Sequence, residues 1–250
     1  MKVNLPASEM LVARPPQLDV RLNATCAIDF GTKSTIVVCR DGEARMLRIG
    51  KGDYTKAPEM KDFENPTVIA LKDLQGFLAA YKARIGRPFT EWNQLTVSHQ
   101  AADAIFSREN PMGSSIYNSV FSELKQWAKD EQSYPILMDA KKFEQEVKPY
   151  IEAAALDEGG FDPIEIYAYY LGLYINNMHR QIYLDYILSF PVNYKKDVRE
   201  KVRASFERGI KKSLPPAILQ DEEIMKRFRV YLGASEPAAY AISALEFFDL

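Results

Sequence analysis

Two cysteines and two histidines are all that the 250 residues contain. Cys26 and Cys39 form no CxxC pair, and His99 and His179 cluster with neither, which argues against a structural zinc site. The two thiols flank one predicted turn on neighbouring strands, and as small apolar side chains they are expected to be reduced and buried. No run approaches the roughly 18 apolar residues of a membrane span. Residues 1–23 lack a continuous apolar signal segment and hold Pro6, Pro15 and Pro16, so they read as a leader arm with the cytoplasm as default location. Charge is also lacking in excess: the formal net charge is −2, and no basic block with interleaved aromatics occurs. Bulk nucleic-acid binding is not expected.

What is present is ordinary globular material, with 47% hydrophobic and 26% charged residues. A chain of this length can bury a sizeable core without metal or disulfide staples. Residues 24–30 (ATCAIDF) and 34–40 (STIVVCR) read as strands joined by the short turn Gly31-Thr32-Lys33. Asp41-Gly42 then leads to a third strand near 44–49, completing a meander. A short strand is expected at 67–71. Between 72 and 113 the sequence assigns only a helix over 97–107, broken at Asn110-Pro111-Met112-Gly113. Short helices are expected over 116–130 and, capped by Asp139, from 139 to about 154.

The last third is clearer. Asp162-Pro163-Ile164-Glu165 is a helix start with a capping carboxylate, a proline in the first turn and a glutamate at the third position. That helix runs to about 181. A strand follows at 183–190, ended by Pro191. Val198, Val202, Phe206 and Ile210 then recur every four residues along a helix over 195–212. After Pro215-Pro216 come a strand at 228–232 and a final helix opened by Pro237. Two strands joined by a crossover helix imply parallel pairing. The expected fold class is therefore α/β, with a mixed sheet flanked by helices.

The motif that carries chemistry is the hairpin turn at Asp29-Phe30-Gly31-Thr32-Lys33-Ser34. Gly31 lets the backbone turn tightly and approach a ligand. Turn amides can converge into an anion-binding nest, and Thr32, Lys33 and Ser34 add donors suited to phosphate oxygens. Asp29 would repel phosphate unless a hydrated Mg²⁺ lay between them, which suits an ion that keeps its waters and uses few carboxylates. A plain tight turn is the alternative for the tetrapeptide alone.

Order along the chain adds specificity. AIDFGTKSTIVV resembles the first phosphate motif of the actin/Hsp70/sugar-kinase superfamily. PTVIAL, YILSFPVNYKKDVREKVRASFERGI and SEPAAYAISAL resemble later Hsp70 segments in the same order. The resemblance implies a ribonuclease H-like first lobe of an actin-like ATPase domain over residues 24–250. Residues 50–160 or so would be an inserted small subdomain, and 162–250 the βαβ portion with its crossing helix.

The resemblance also implies roles. ATP and Mg²⁺ would be the cofactors. Asp29 matches the carboxylate that holds Mg²⁺ through water, and Gly31 and Thr32 match the phosphate-turn residues. Lys33 stands where chaperones usually have threonine, and either contacts phosphate or points to solvent. Glu236 matches the glutamate that positions the Mg²⁺ shell and the attacking water; otherwise it is a helix-start carboxylate. Pro191 matches a nucleotide-sensing switch proline, or simply ends a strand. Residues 118–125 (NSVFSELK) resemble the segment carrying the catalytic lysine, with one extra residue. Lys125 would then neutralise charge on the transferred phosphoryl group; otherwise it lies on an exposed helix face.

For the intact protein the resemblance implies a chaperone-type ATP hydrolase with an unfolded-protein client or a co-chaperone as partner. The family's second phosphate hairpin and adenosine pocket have no counterpart in these residues. The resemblance therefore implies weak or undetectable ATP affinity for this chain alone, and an exposed apolar patch near 238–248 through which it could self-associate. Two other readings stay open: a non-catalytic or actin-like assembly module, and part of a sugar- or acetate-kinase-type enzyme.

Overall fold

In the computed structural model, residues 14–51, 55–106, 119–130, 134–177, 180–191 and 193–235 are described. The predicted meander forms as β1 (Val20–Phe30), β2 (Ser34–Asp41) and β3 (Glu43–Met46). β1 and β2 are antiparallel, with Phe30 opposite Thr35 and Cys26 opposite Cys39. The expected βαβ unit follows as α4 (Pro163–Asn177), β10 (Ile182–Phe190), α5 (Lys196–Ser213) and β11 (Arg229–Ser235). β10 lies parallel to β1, and β11 parallel to β10. The central sheet therefore runs β11-β10-β1-β2-β3, with the two-residue β4 (Asn65–Pro66) added beside β2. It is a mixed sheet flanked by helices.

Alternation decides which face is covered. Ala24, Cys26, Ile28 and Phe30 on β1 are buried, as are Thr35, Val37 and Cys39 on β2, while Ala27 and Asp29 are exposed. The buried row packs on α4 and α5: the Phe30 ring lies 5.1 Å from Phe206 and 6.1 Å from Tyr167. The α5 stripe behaves as its spacing predicts, with Val202, Phe206 and Ile210 buried and Val198 packed against the same core.

Among the described residues of 50–160 there are two smaller sheets. One has the order β6 (Leu95–Val97), β5 (Ile69–Leu71), β7 (Val120–Phe121); the other pairs β8 (Tyr134–Met138) with β9 (Glu144–Val147). Helix α2 (Ser98–Phe106) matches its expectation. Three features differ from the sequence reading. Helix α1 (Leu74–Lys82) forms where nothing was assigned, with Asp73 accepting from the Gly76 amide at 3.0 Å. The helix expected over 116–130 shrinks to α3 (Leu124–Lys129), preceded by β7. The helix expected from Asp139 is a β-hairpin followed by a single 3₁₀ turn at Tyr150–Glu152. Asp139 is buried and accepts from the amides of Lys141, Phe143 and Leu74, closing a turn rather than capping a helix. The run beyond it alternates with period two, Gln145 half-buried and Val147 buried against exposed Glu144 and Glu146, which is a strand pattern.

The cysteines correct a further expectation. Cys26 and Cys39 are joined by a disulfide, not reduced. Directly opposite residues of an antiparallel pair bring their Cβ atoms within bonding reach on one face, and here both point into the core.

Candidate phosphate-binding site

The three parallel strands β1, β10 and β11 end together, Ile28 standing beside Leu188 and Phe190 beside Ser235. In open α/β sheets the carboxyl ends of parallel strands are the usual place for ligands, because loops and helix starts converge there. The turn at 31–33 leaves β1 at this end.

Its shape is set from below. The buried Phe30 ring anchors the end of β1. A Cβ on Gly31 would lie 2.1 Å from the Ser34 carbonyl oxygen, so no other residue fits the bend. Thr67 then locks the turn. Its amide donates to the Lys33 carbonyl at 3.0 Å and its hydroxyl to the Gly31 carbonyl at 2.9 Å, with Thr35 Oγ1 2.8 Å away. Beneath it, the Tyr167 hydroxyl donates to the Pro66 carbonyl at 3.2 Å, and burial pushes that phenol up to about 12. The carbonyls of Gly31 and Lys33 thus face the protein. Among the described residues, the amides of Gly31, Thr32 and Lys33 donate to no backbone carbonyl outside the strand ladder. Thr32 and Lys33 are exposed and Ser34 is half-buried.

Asp29 faces away from the helical core, and its Oδ1 accepts from the hydroxyl of Ser189 on β10. Ser189 was not foreseen. Its only sequence signal is its place next to the strand-ending Phe190-Pro191. Pro191 sits at the same end, and its carbonyl accepts from the Tyr194 amide at 3.3 Å. The Tyr194 hydroxyl donates in turn to the carbonyl of Lys125, which ties α3 to the loop after β10. Arg199 braces the same loop through the Tyr194 carbonyl at 2.8 Å, its guanidinium lying 4.9 Å over the Phe190 ring. Lys125 is buried on α3, not on an exposed helix face. Next to the loop is a cavity of about 490 Å³, between α3 and the start of α5, with Lys129, Glu152, Asn193, Tyr194 and Asp197 among its lining.

The structure therefore gathers Asp29, the turn at Gly31, Thr32, Lys33 and Ser34, and Pro191 at one end of the sheet, with Lys125 connected through Tyr194. Glu236 directly follows the last residue of β11 and lies outside the described residues, as do the predicted final helix and the apolar patch at 238–248. Among the described residues no group of three or more His, Cys, Asp or Glu side chains could hold a metal ion. A hydrated Mg²⁺ needs no such cage, and the exposed Asp29 carboxylate fits contact through water.

Behind the site, sequence reasoning also missed a buried polar cluster. Asp162 caps α4 as expected, Oδ1 accepting from the amides of Ile164 and Glu165 at 3.0 and 3.2 Å. Glu165, however, turns away from the cap. Arg208 on α5 binds Glu165 at 2.7 Å and Asp162 at 2.8 Å; the Tyr81 hydroxyl donates to Glu165, and that of Ser205 to Asp162. Burial raises both carboxyl pKa values, and the guanidinium pulls the other way.

Among the described residues no helix is long and apolar enough to cross a membrane. No protein-family model matches the chain, and no curated protein matches it.

Proposed function

We infer that this chain is the first lobe of an actin/Hsp70-type ATPase domain of ribonuclease H-like fold, and that the turn at Gly31–Ser34 grips nucleotide phosphate. The observation that carries the reading is the convergence at one sheet end: a turn whose Gly31 and Lys33 carbonyls are held by Thr67 and whose Thr32 and Lys33 are exposed stands beside a carboxylate already oriented by Ser189. The sheet order supports it too, since an antiparallel meander continued by two parallel strands is the mixed sheet such a lobe requires.

In this reading the amides of Thr32 and Lys33, with the hydroxyls of Thr32 and Ser34, donate to phosphate oxygens. Asp29 holds Mg²⁺ through its waters, and the ion offsets phosphate charge when bound. Lys125 acts on the transferred group and Pro191 senses it. Glu236 belongs to the same water-holding set. Hydrolysis, chaperone clients and a co-chaperone are properties of the domain completed by a second lobe. The buried Cys26–Cys39 disulfide counts against the cytoplasmic default, because thiols in that compartment are kept reduced.

One lobe provides half a cleft, so the affinity to measure is weak. In a backbone amide NMR titration of this chain with MgATP to about 10 mM, Gly31, Thr32, Lys33 and Ser189 should shift, with millimolar affinity. Asp29→Asn should remove the dependence on Mg²⁺ while the fold persists. Unmoved turn amides at the highest concentration would refute the assignment.

A further inference from the structure

We propose that the cavity between α2 and the end of α4 is a binding site for a neutral sugar. It measures about 520 Å³, a size that suits a small ligand. Lys51, Trp92, Gln100, Asp103, Tyr174 and Asn177 are among its lining. Helix α4 ends at Asn177, just before β10 begins at Ile182. The cavity therefore lies at the end of the sheet opposite to the Gly31 turn, and the proposal does not depend on nucleotide binding.

The aromatic wall is fixed from behind. Trp92 is 40% exposed, yet its ring lies 5.1 Å from Tyr170 and 5.7 Å from Tyr174. Tyr170 is itself buried, its hydroxyl donating to the Leu95 carbonyl at 3.3 Å. An indole held in this way, and still in contact with water, is a flat apolar surface that is ordered before any ligand arrives. Helical spacing brings polar side chains to the same place. Gln100 and Asp103 are three residues apart on α2, and Tyr174 and Asn177 three apart on α4, so each pair shares one helix face.

The polar groups select the ligand. Lys51 Nζ lies 2.8 Å from an Asp62 carboxylate oxygen, which offsets its charge and leaves other ammonium hydrogens as donors. Asp103 is exposed and, among the described residues, joins no ion pair. One cation and one anion give this lining no net charge, so it favours neither an anion nor a cation. What it offers is a mixture: the amides of Gln100 and Asn177, an ammonium and a carboxylate, beside a flat aromatic face. The Asn177 amide nitrogen already donates to the Leu173 carbonyl at 2.6 Å, which leaves its oxygen to accept. A sugar matches this set, because its hydroxyls both donate and accept while the C–H face of its ring is apolar. A nucleobase presents polar atoms only in its ring plane, whereas the polar groups here come from three elements: the loop after β3, α2 and α4.

Tryptophan fluorescence reads this site, because Trp127 is fully buried and Trp92 is not. Glucose, galactose, mannose and maltose are each titrated to about 50 mM; at least one should give a saturable change with millimolar affinity. About 0.5 M sodium chloride should leave that affinity unchanged, since the ligand carries no charge. Asp103→Asn, an exposed substitution that should preserve the circular dichroism spectrum, should weaken binding about 10-fold by removing a charged acceptor. In Trp92→Leu, the sugar-induced shifts of the Gln100 and Asn177 amides in an NMR titration should disappear. No saturable response to any of the four sugars would overturn the proposal. So would saturation by choline or adenosine alone, or a sugar response that both substitutions leave intact.

Discussion

Replacing Arg208 with methionine tests the cluster that joins α4 to α5 behind the candidate site. The guanidinium is the only cation bound to Asp162 and Glu165 among the described residues, and both carboxylates are almost fully buried. Removing one partner of a buried pair typically costs 3–5 kcal/mol, because the other charge is left uncompensated. Two features reduce the loss here. About a third of the Arg208 side chain is exposed, so water screens part of the attraction. Asp162 also keeps its bonds from Ser205 and two amides. Glu165 keeps only Tyr81, so most of the penalty falls on it. We expect a loss of about 3 kcal/mol near pH 8.

The pH dependence separates charge from packing. Burial holds the folded-state pKa of both carboxyls above the ordinary value. A raised acid contributes stability fully below its unfolded pKa and loses that contribution as pH rises through the folded pKa. Without Arg208 both pKa values rise further, so the variant's deficit should grow with pH and shrink to about half or less near pH 4.5. Asp62 and Asp73, whose pKa values are lowered by Lys51 and Lys141, titrate in the opposite sense, but equally in both proteins. Urea unfolding at the two pH values, followed by fluorescence of the buried Trp127, gives the difference directly. Adding Glu165→Gln should recover about 1 kcal/mol or more at pH 8. An equal deficit at both pH values, with no recovery, would refute the electrostatic account.

The disulfide makes a second prediction. Alkylation of the denatured chain without reductant should modify neither cysteine, and with reductant both. The 13-residue separation corresponds to about 3 kcal/mol of lost unfolded-state entropy, which a Cys26→Ala, Cys39→Ala variant should forfeit; two alkylated thiols in unreduced protein would contradict the pairing. Thr67→Val removes the hydroxyl that satisfies the Gly31 carbonyl and meets Thr35, and should cost about 1–3 kcal/mol while speeding amide exchange in the turn at 31–33. Unchanged exchange there would show that Thr67 does not hold the turn.

The hairpin of β1 and β2, the capped start of α4, the stripe of α5 and the parallel pairing of β10 and β11 were all legible in the sequence. Each rests on a short-range signal: a glycine in a bend, a carboxylate before a helix, a repeat of two or four. The same logic misled at Asp139, where a capping residue type closes a turn because Leu74, 65 positions away, supplies a third amide. Other features lay beyond local reading. Whether Cys26 and Cys39 bond depends on strand register, and Ser189 meets Asp29 across 160 residues. Thr67 reaches the Gly31 turn only after β4 has joined the sheet, and Arg208 reaches its carboxylates only after α5 has packed on α4. Local periodicity and turn chemistry determined which segments became strands, turns and helices. Which side chains met, and therefore what the end of the sheet can hold, was decided by the packing of segments distant in sequence, because a hydrogen bond or an ion pair depends on separation in space.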